Sequence, residues 1–212
     1  MSIEFLVMGM IENNVYVIDD GNTTFVVDPS CDAQRILKAL DGRNCEAVVL
    51  THAHWDHVGA AAELREATGA RVIASAIDAS IIAGDRTLGP AHTHVEPCPV
   101  DEAVSEGDMV SIGSMQWQVM VTPGHTPGSI CLYLDPRYGN NPDAAPVLIS
   151  GDTLFAGAHG RTDFEGGSPA DMRESLKRLS KLPESTIVLP GHNAQTTIAR
   201  ERGWLARGGL GI

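Results

Sequence analysis

Apolar positions along this chain recur in short runs broken by Gly, Asn and Pro, which predicts many short strands with a few helices between them. Phe5–Met8, Val15–Ile18 and Thr24–Asp28 are β-prone runs separated by Asn13-Asn14 and Gly21-Asn22 turn signals, and Asp28-Pro29-Ser30 ends the third. Over Ala33–Leu40 the apolar residues Ile36, Leu37 and Leu40 fall at helical spacing, with Asp32 placed to cap. Ala47–Leu50 is apolar throughout, the mark of a strand buried on both faces. Gly59–Thr68 is Ala-rich and predicts a helix that stops at Gly69. Val72–Ala74 reads as a strand, Ala76–Ala83 as a further helical stretch, and the proline-rich Leu88–Pro99 as a loop.

The second half repeats this order. Met109–Ile112, Met115–Val121 and Ile130–Leu134 are strands, Tyr138–Pro146 a polar loop, and Val147–Ser150 a buried strand. Ser168–Leu182 is the clearest helix: Ser168 caps it, Pro169 takes its first position, and Met172, Leu176 and Leu179 line one face. Ile187–Leu189 is a last buried strand, followed by a short helix over Thr197–Trp204. Strands, a helix, then buried strands in each half predict an α/β fold of two mixed sheets packed face to face with helices outside. Neither a repeat nor a linker interrupts residues 1–212, so one domain is expected.

Composition narrows the partners. Of the 212 residues 43% are apolar and 20% charged, with 15 Lys+Arg against 27 Asp+Glu and a net charge of −12. Such an acidic surface disfavours nucleic acid and anionic membranes. No apolar run is long enough to span a bilayer. The first residues, MSIEFLVMGMIENN, lack the basic start of a secretory leader, so a cytoplasmic protein is expected. Cys31, Cys45, Cys98 and Cys131 are far apart and read as reduced thiols, with Cys45 and Cys131 as small core residues.

The candidate chemistry sits at T-H-A-H-W-D-H, Thr51–His57, directly after the strand Ala47–Leu50. In extended chain His52 and His54 project to one side and can grip one cation. Asp56 and His57 follow where the chain is expected to turn into its helix at Gly59, so they point elsewhere and can serve a second cation. Imidazole with carboxylate suits zinc, with iron or manganese as alternatives. Three more residues fit the same site. His125 lies in T-P-G-H-T-P-G after Met115–Val121, Asp152 in S-G-D-T-L-F after Val147–Ser150, and His192 in L-P-G-H after Ile187–Leu189. Strand ends along one rim are where functional groups collect.

Together these motifs resemble the metallo-β-lactamase superfamily over nearly the whole chain. The resemblance implies an αββα sandwich. It also implies that His52, His54 and His125 bind one metal, that Asp56, His57 and His192 bind a second, and that Asp152 bridges. G-D-T-L-F at Gly151–Phe155, G-R-T-D at Gly160–Asp163 and T-T-I-A-R-E-R at Thr196–Arg202 look most like glyoxalase II-type hydrolases of the short kind. The expected activity is cleavage of small-molecule thioesters or related activated esters by a hydroxide shared between two divalent ions, most simply zinc. Asp152 would stand between the ions and Asp56 would steer the proton. Longer members carry a carboxy-terminal helical segment that binds glutathione, and no such segment is expected here. G-R-T-D also resembles persulfide dioxygenases, which use one iron on this scaffold, and lactonases share the ligand set.

Several residues keep two readings. Arg161 and Asp163 either orient a substrate carboxylate or fix the loop after Asp152. Trp55 either lines the substrate mouth or packs beneath its loop. Gly157, Gly160 and Gly166-Gly167 are either hinges that let this loop approach a ligand or simple turns. His92 and His94 match no ligand of the family and read as a solvated loop.

Overall fold

The computed structural model describes residues 1–87, 95–139 and 141–209; His92 and His94 lie outside them. The first half runs β1 (Ser2–Met8), β2 (Asn13–Asp19), β3 (Thr24–Val27), α1 (Ala33–Leu40), β4 (Cys45–Leu50), α2 (Trp55–Val58), α3 (Ala61–Thr68), β5 (Arg71–Ser75), α4 (Ala79–Ile82) and β6 (Glu102–Val104). The second runs β7 (Met109–Ile112), β8 (Met115–Val121), β9 (Ile130–Leu134), β10 (Val147–Gly151), α5 (Pro169–Leu179), β11 (Ile187–Pro190), β12 (Thr196–Thr197) and α6 (Ile198–Leu205).

Two six-stranded sheets result, ordered β1-β2-β3-β4-β5-β6 and β12-β11-β10-β9-β8-β7. Both are mixed. In the first, β1 to β3 are antiparallel and β3 to β6 parallel. In the second, only β10 and β11 pair in parallel.

Side-chain alternation sorts the core into three layers. Phe25, Val27 and Val49 face the second sheet, where they meet Trp117, Ile130, Leu132 and Ile149. Their neighbours Val26 and Val48 point the other way, onto Ile36 and Leu40 of α1 and Leu64 of α3. On the far face of the second sheet, Leu148 and Val188 receive Met172, Leu176 and Leu179 of α5 and Leu205 of α6. Helices thus cover both outer faces, as an αββα sandwich requires, and the central strands, buried on both sides, are apolar in unbroken runs over Phe25–Val27, Ala47–Leu50 and Val147–Ile149. Between the sheets the Trp117 ring meets Phe25 edge-on at 5.6 Å.

Local departures from the expected pattern have physical causes. The helix expected from Gly59 begins earlier, as α2 at Trp55, and α3 starts at Ala61. Gly59 lies against the Ser30 carbonyl oxygen, where a Cβ has no room. Of the helix expected over Ala76–Ala83 only Ala79–Ile82 forms, because Asp78 is drawn inward beneath the His52–His54 loop. α5 ends at Leu179, short of Leu182. The strands β6 and β12 span three and two residues, too short to show a period. Among the described residues no helix is long and apolar enough to cross a membrane.

Cys45, Cys98 and Cys131 are buried, and burial pushes each thiol up to about 11; Cys31 is half-buried. Only thiolate alkylates readily. Brief alkylation of the native protein at pH ~8, just below the ordinary thiol value, should therefore label Cys31 alone. Mass spectrometry should find the other three modified only after denaturation.

Candidate metal centre

The functional side chains all leave the ends of buried strands. β4 delivers the loop Thr51–His54 and then α2, whose first turn carries Asp56 and His57. β8 leads to His125, β10 to Asp152 and β11 to His192. The two sheets are tied at this rim. Asn14 donates its side-chain amide to the Pro190 carbonyl at 2.9 Å, the Tyr16 hydroxyl donates to the same oxygen at 2.8 Å, and the Ile130 N–H donates to the Thr51 carbonyl at 2.9 Å.

All seven residues singled out as ligands converge. His52, His54 and His125 form one group and Asp56, His57 and His192 another, each with its donor atoms within 4.8 Å of one another. In the first, His52 Nε2 and His54 Nδ1 are 3.1 Å apart. In the second, Asp56 Oδ2 is 3.2 Å from His57 Nε2 and 3.3 Å from His192 Nε2. Asp152 stands between the groups: Oδ1 is 3.4 Å from His57 Nε2, while Oδ2 is 3.5 Å from His125 Nε2 and 3.6 Å from His192 Nε2.

These spacings fit a cation. Two ligands at tetrahedral corners, each ~2.05 Å from a zinc ion, are about 3.3 Å apart. The buried atoms His57 Nε2, His125 Nε2 and Asp152 Oδ1 have charged neighbours at these distances but no hydrogen bond of good geometry. Leaving such atoms unpaired costs about 1–3 kcal/mol each, and a shared cation removes that cost.

The other ring nitrogens are tied down, which settles the tautomers. A carbonyl only accepts, so His125 Nδ1 donates to the Arg161 carbonyl at 2.7 Å and His192 Nδ1 to the Ile11 carbonyl at 3.0 Å. His57 Nδ1 donates to Asp28 Oδ2 at 2.9 Å. Each thereby turns its Nε2 inward, the orientation in which a histidine, once deprotonated there, binds a metal. Asp28 also takes the Thr51 N–H on Oδ1 and the Thr51 hydroxyl on Oδ2, both at 2.7 Å. Asn13 donates its side-chain amide to Asp56 Oδ2 at 2.8 Å.

Sequence reasoning did not assign Asp28, Asn13 or Asp78 to the site. Asp28 ends an apolar run as Asp152 does, so the same strand-end signal could have found it. Asp78 carries no such signal. Its carboxylate is buried beneath the site and accepts the Ala53 N–H at 3.0 Å and the Thr126 hydroxyl at 3.3 Å, both on Oδ2. It thereby joins the loop of His52 and His54 to the loop of His125. Burial pushes its carboxyl up to about 6, against the hydrogen bonds from Ala53 and Thr126.

The field splits the imidazoles. Burial, with the neighbouring imidazoles, holds His52 well below the ordinary histidine value; burial also holds His125 below it, against the pull of Asp152. Burial lowers His57 too, but Asp152 and Asp28 outweigh it and hold it well above. For His192 the bond to Asp56 and the charge of Asp152 likewise overcome burial and raise it. Burial raises the Asp56 carboxyl, and the bonds from His192 and His57 outweigh this and leave it far below the usual range.

Above the ligands opens a cavity of about 720 Å³, lined among others by Ile11, Trp55, Phe155, Arg161 and Phe164. Trp55 lines the mouth and does not pack beneath its loop. Arg161 is paired with Asp163 through two hydrogen bonds of 2.7 and 2.6 Å, so the loop-fixing reading describes its contacts. Gly160 is a close-approach glycine: a Cβ there would meet the Asp152 carbonyl oxygen.

The chain belongs to the metallo-beta-lactamase superfamily, whose model matches residues 9–192. A hydroxyacylglutathione hydrolase of Cereibacter sphaeroides is 38% identical over 193 residues, which are 89% of this chain and 66% of that protein. The crystal structure of BLEG-1 B3 metallo-beta-lactamase superposes with a TM-score of 0.82 at 30% identity, covering 95% of this chain and 97% of the other. TTHA1623 in a di-iron-bound form superposes at 0.78 with 34% identity, covering 93% and 96%. Fold and superfamily are as the motifs implied, and the clustered His and Asp residues point to a metal site whose ion the comparisons do not fix, the TTHA1623 structure holding two irons.

Two outcomes follow from this geometry. Above pH ~6.5 His52 and His125 are neutral in both folded and unfolded chain, whereas His57 and His192 keep protons that the unfolded chain releases. Their stabilisation is complete below that pH and is lost as pH rises through their folded values. Metal-free protein should therefore show a Tm that falls as pH rises above ~6.5, while metal-loaded protein, whose ligands are already deprotonated, should not. Calorimetry with and without chelator reads the two slopes. Second, Asp78→Ala removes the acceptor shared by the Ala53 N–H and the Thr126 hydroxyl, the latter keeping its 2.8 Å bond to Ser129. It should lower stability by about 1–3 kcal/mol and metal affinity by ~10–100-fold, checked by denaturant titration and competition with a chromogenic chelator.

Proposed function

We propose that this chain is a dinuclear metal-dependent hydrolase of thioesters or related activated esters, of the glyoxalase II type. The observation that carries the reading is Asp152, whose two carboxylate oxygens face the two histidine groups from one buried position. Similarity to a hydroxyacylglutathione hydrolase supports the same substrate class. His52, His54 and His125 would hold one ion and Asp56, His57 and His192 the other, with Asp152 shared. Ions bound there lower the pKa of water and polarise a carbonyl.

The chain's own groups do the rest. Nδ1 hydrogen bonds to the Arg161 carbonyl, the Ile11 carbonyl and Asp28 fix three imidazole planes, so little reorganisation is needed during reaction. Asp56, kept ionised by His192 and His57 and oriented by Asn13, stays a carboxylate and would steer a proton at the floor of the cavity as a hydrogen-bond acceptor, without taking it up. The aromatic side chains at the mouth offer apolar surface beside the reacting carbonyl. The cavity suits a small molecule. The di-iron TTHA1623 structure supports iron as an ion for this scaffold, and the resemblance of G-R-T-D at Gly160–Asp163 to persulfide dioxygenases supports a second reading, a persulfide-oxidising enzyme with one iron.

Metal analysis of protein purified without added metal, followed by a thioester panel, tests the proposal. About two ions per chain with thioester cleavage is the expected result. Asp152→Ala should lose one ion and at least ~100-fold in rate, since the loss of supporting groups alone costs 10–100-fold. One iron per chain, no thioester cleavage and oxygen uptake on a persulfide would overturn it in favour of the second reading.

A further inference from the structure

Resting on the thioesterase reading, we propose that the mouth of this site selects thioesters with an apolar acyl group longer than acetyl, carried on a thiol without negative charge. Three observations on the cavity wall converge on that class.

The wall around the ligands is apolar. Phe164 sets its ring edge-on to His54 at a centroid distance of 5.8 Å, and Phe155 does the same to His192 at 5.9 Å. One aromatic ring therefore flanks each histidine group. Trp55 and Ile11 complete the rim, and 37% of Trp55, 37% of Phe164 and 49% of Ile11 remain exposed. Apolar surface left in water at the edge of a polar floor gains by being covered, so a ligand with a hydrocarbon arm binds better than one without.

The basic side chain at the mouth is already engaged. Among the described residues Arg161 is the one Lys or Arg lining the cavity. Its Nε and Nη2 donate to the two carboxylate oxygens of Asp163, and its guanidinium carbon lies 3.8 Å from the centroid of the Phe164 ring. A guanidinium bound face-on to a ring and edge-on to a carboxylate has spent both of its usual recognition modes. Arg161 here buttresses Phe164 over His54, and a substrate carboxylate would compete with Asp163 for the Nε–Nη2 edge.

The remaining charge at the mouth is negative. Glu165 lines the same cavity, and the chain carries a net charge of −12. At the rim, away from the ions that the ligands would hold, an anionic carrier such as glutathione meets Glu165 and no unpaired Lys or Arg among the described residues, though salt screens the effect beyond ~10 Å.

The test is a matrix of kcat/KM values for metal-loaded protein. Acetyl, butanoyl and hexanoyl thioesters of N-acetylcysteamine, an uncharged thiol, are compared with the same acyl groups on glutathione. A fully buried methylene is worth roughly 4-fold, so kcat/KM should rise at least ~30-fold from acetyl to hexanoyl at this half-open mouth. Phe164→Ala should flatten that rise several-fold. Asp163→Asn, at an exposed position, frees the Arg161 guanidinium and should shift the carrier preference toward glutathione by about 5-fold, a change that a purely structural role for the pair would not produce. In parallel, binding of uncleavable methyl and hexyl thioethers of N-acetylcysteamine is measured by calorimetry. Equal rates and equal binding across chain lengths would overturn the proposal, as would a 10-fold or greater preference for glutathione as carrier. No thioester cleavage, together with tighter binding of the hexyl thioether, would refute the hydrolase reading and leave the apolar mouth supported.

Discussion

The structure depends on one constraint: imidazoles and carboxylates buried at a sheet rim must each have a partner on both sides. On the outer side the partners are fixed acceptors, the Arg161 and Ile11 carbonyls and the Asp28 carboxylate. On the inner side the nitrogens and the Asp152 oxygens face one another at cation-ligand spacing. Desolvation alone would make such a cluster costly. Opposed charges, and a bound ion when present, make it tolerable, which is why the cluster also separates the histidines into two below and two above their ordinary pKa.

The sandwich supplies the stiffness that this constraint needs. β3 and β4 of the first sheet carry Asp28 and the Thr51–His54 loop, whereas β8, β10 and β11 of the second carry His125, Asp152 and His192. The ligand set is complete only where the two sheets meet. Cross-sheet bonds from Asn14, Tyr16 and Ile130 hold the halves in register there. Asp78 adds a buried strut between the two loops that bear His52, His54 and His125. Close approach then requires residues without a Cβ: at Gly191 one would run into Asp152 and His57, and at Gly160 into the Asp152 backbone.

The loop after Asp152 shows how contacts decide a role that residue type leaves open. Arg161 and Asp163 lie two positions apart and satisfy each other, so the arginine holds Phe164 in place above His54. The Arg161 carbonyl, not its side chain, is what touches a ligand residue, through His125 Nδ1. The character of the mouth is therefore set by ring packing more than by charge.

Much of this was legible in the order of residues. The period of the apolar runs placed most strands and the helices α1 and α5, and all seven metal-site candidates were visible because each follows an apolar run or belongs to the His-x-His-x-Asp-His cluster. Local signals of that kind report where a side chain leaves a strand. They do not report what it meets. β6 and β12 form by pairing with partners already in place, the start of α2 at Trp55 depends on Gly59 lying against Ser30, and Asp28, Asn13 and Asp78 reach the site from residues distant in the chain. The sequence by itself determined the sandwich class and the seven residues that meet at the rim, since the first is written in local period and the second in strand-end positions and the His-x-His-x-Asp-His motif. Only the tertiary structure decided the tautomers, the engagement of Arg161 and the aromatic mouth, because each depends on a hydrogen bond or ring contact made across the fold or across a loop.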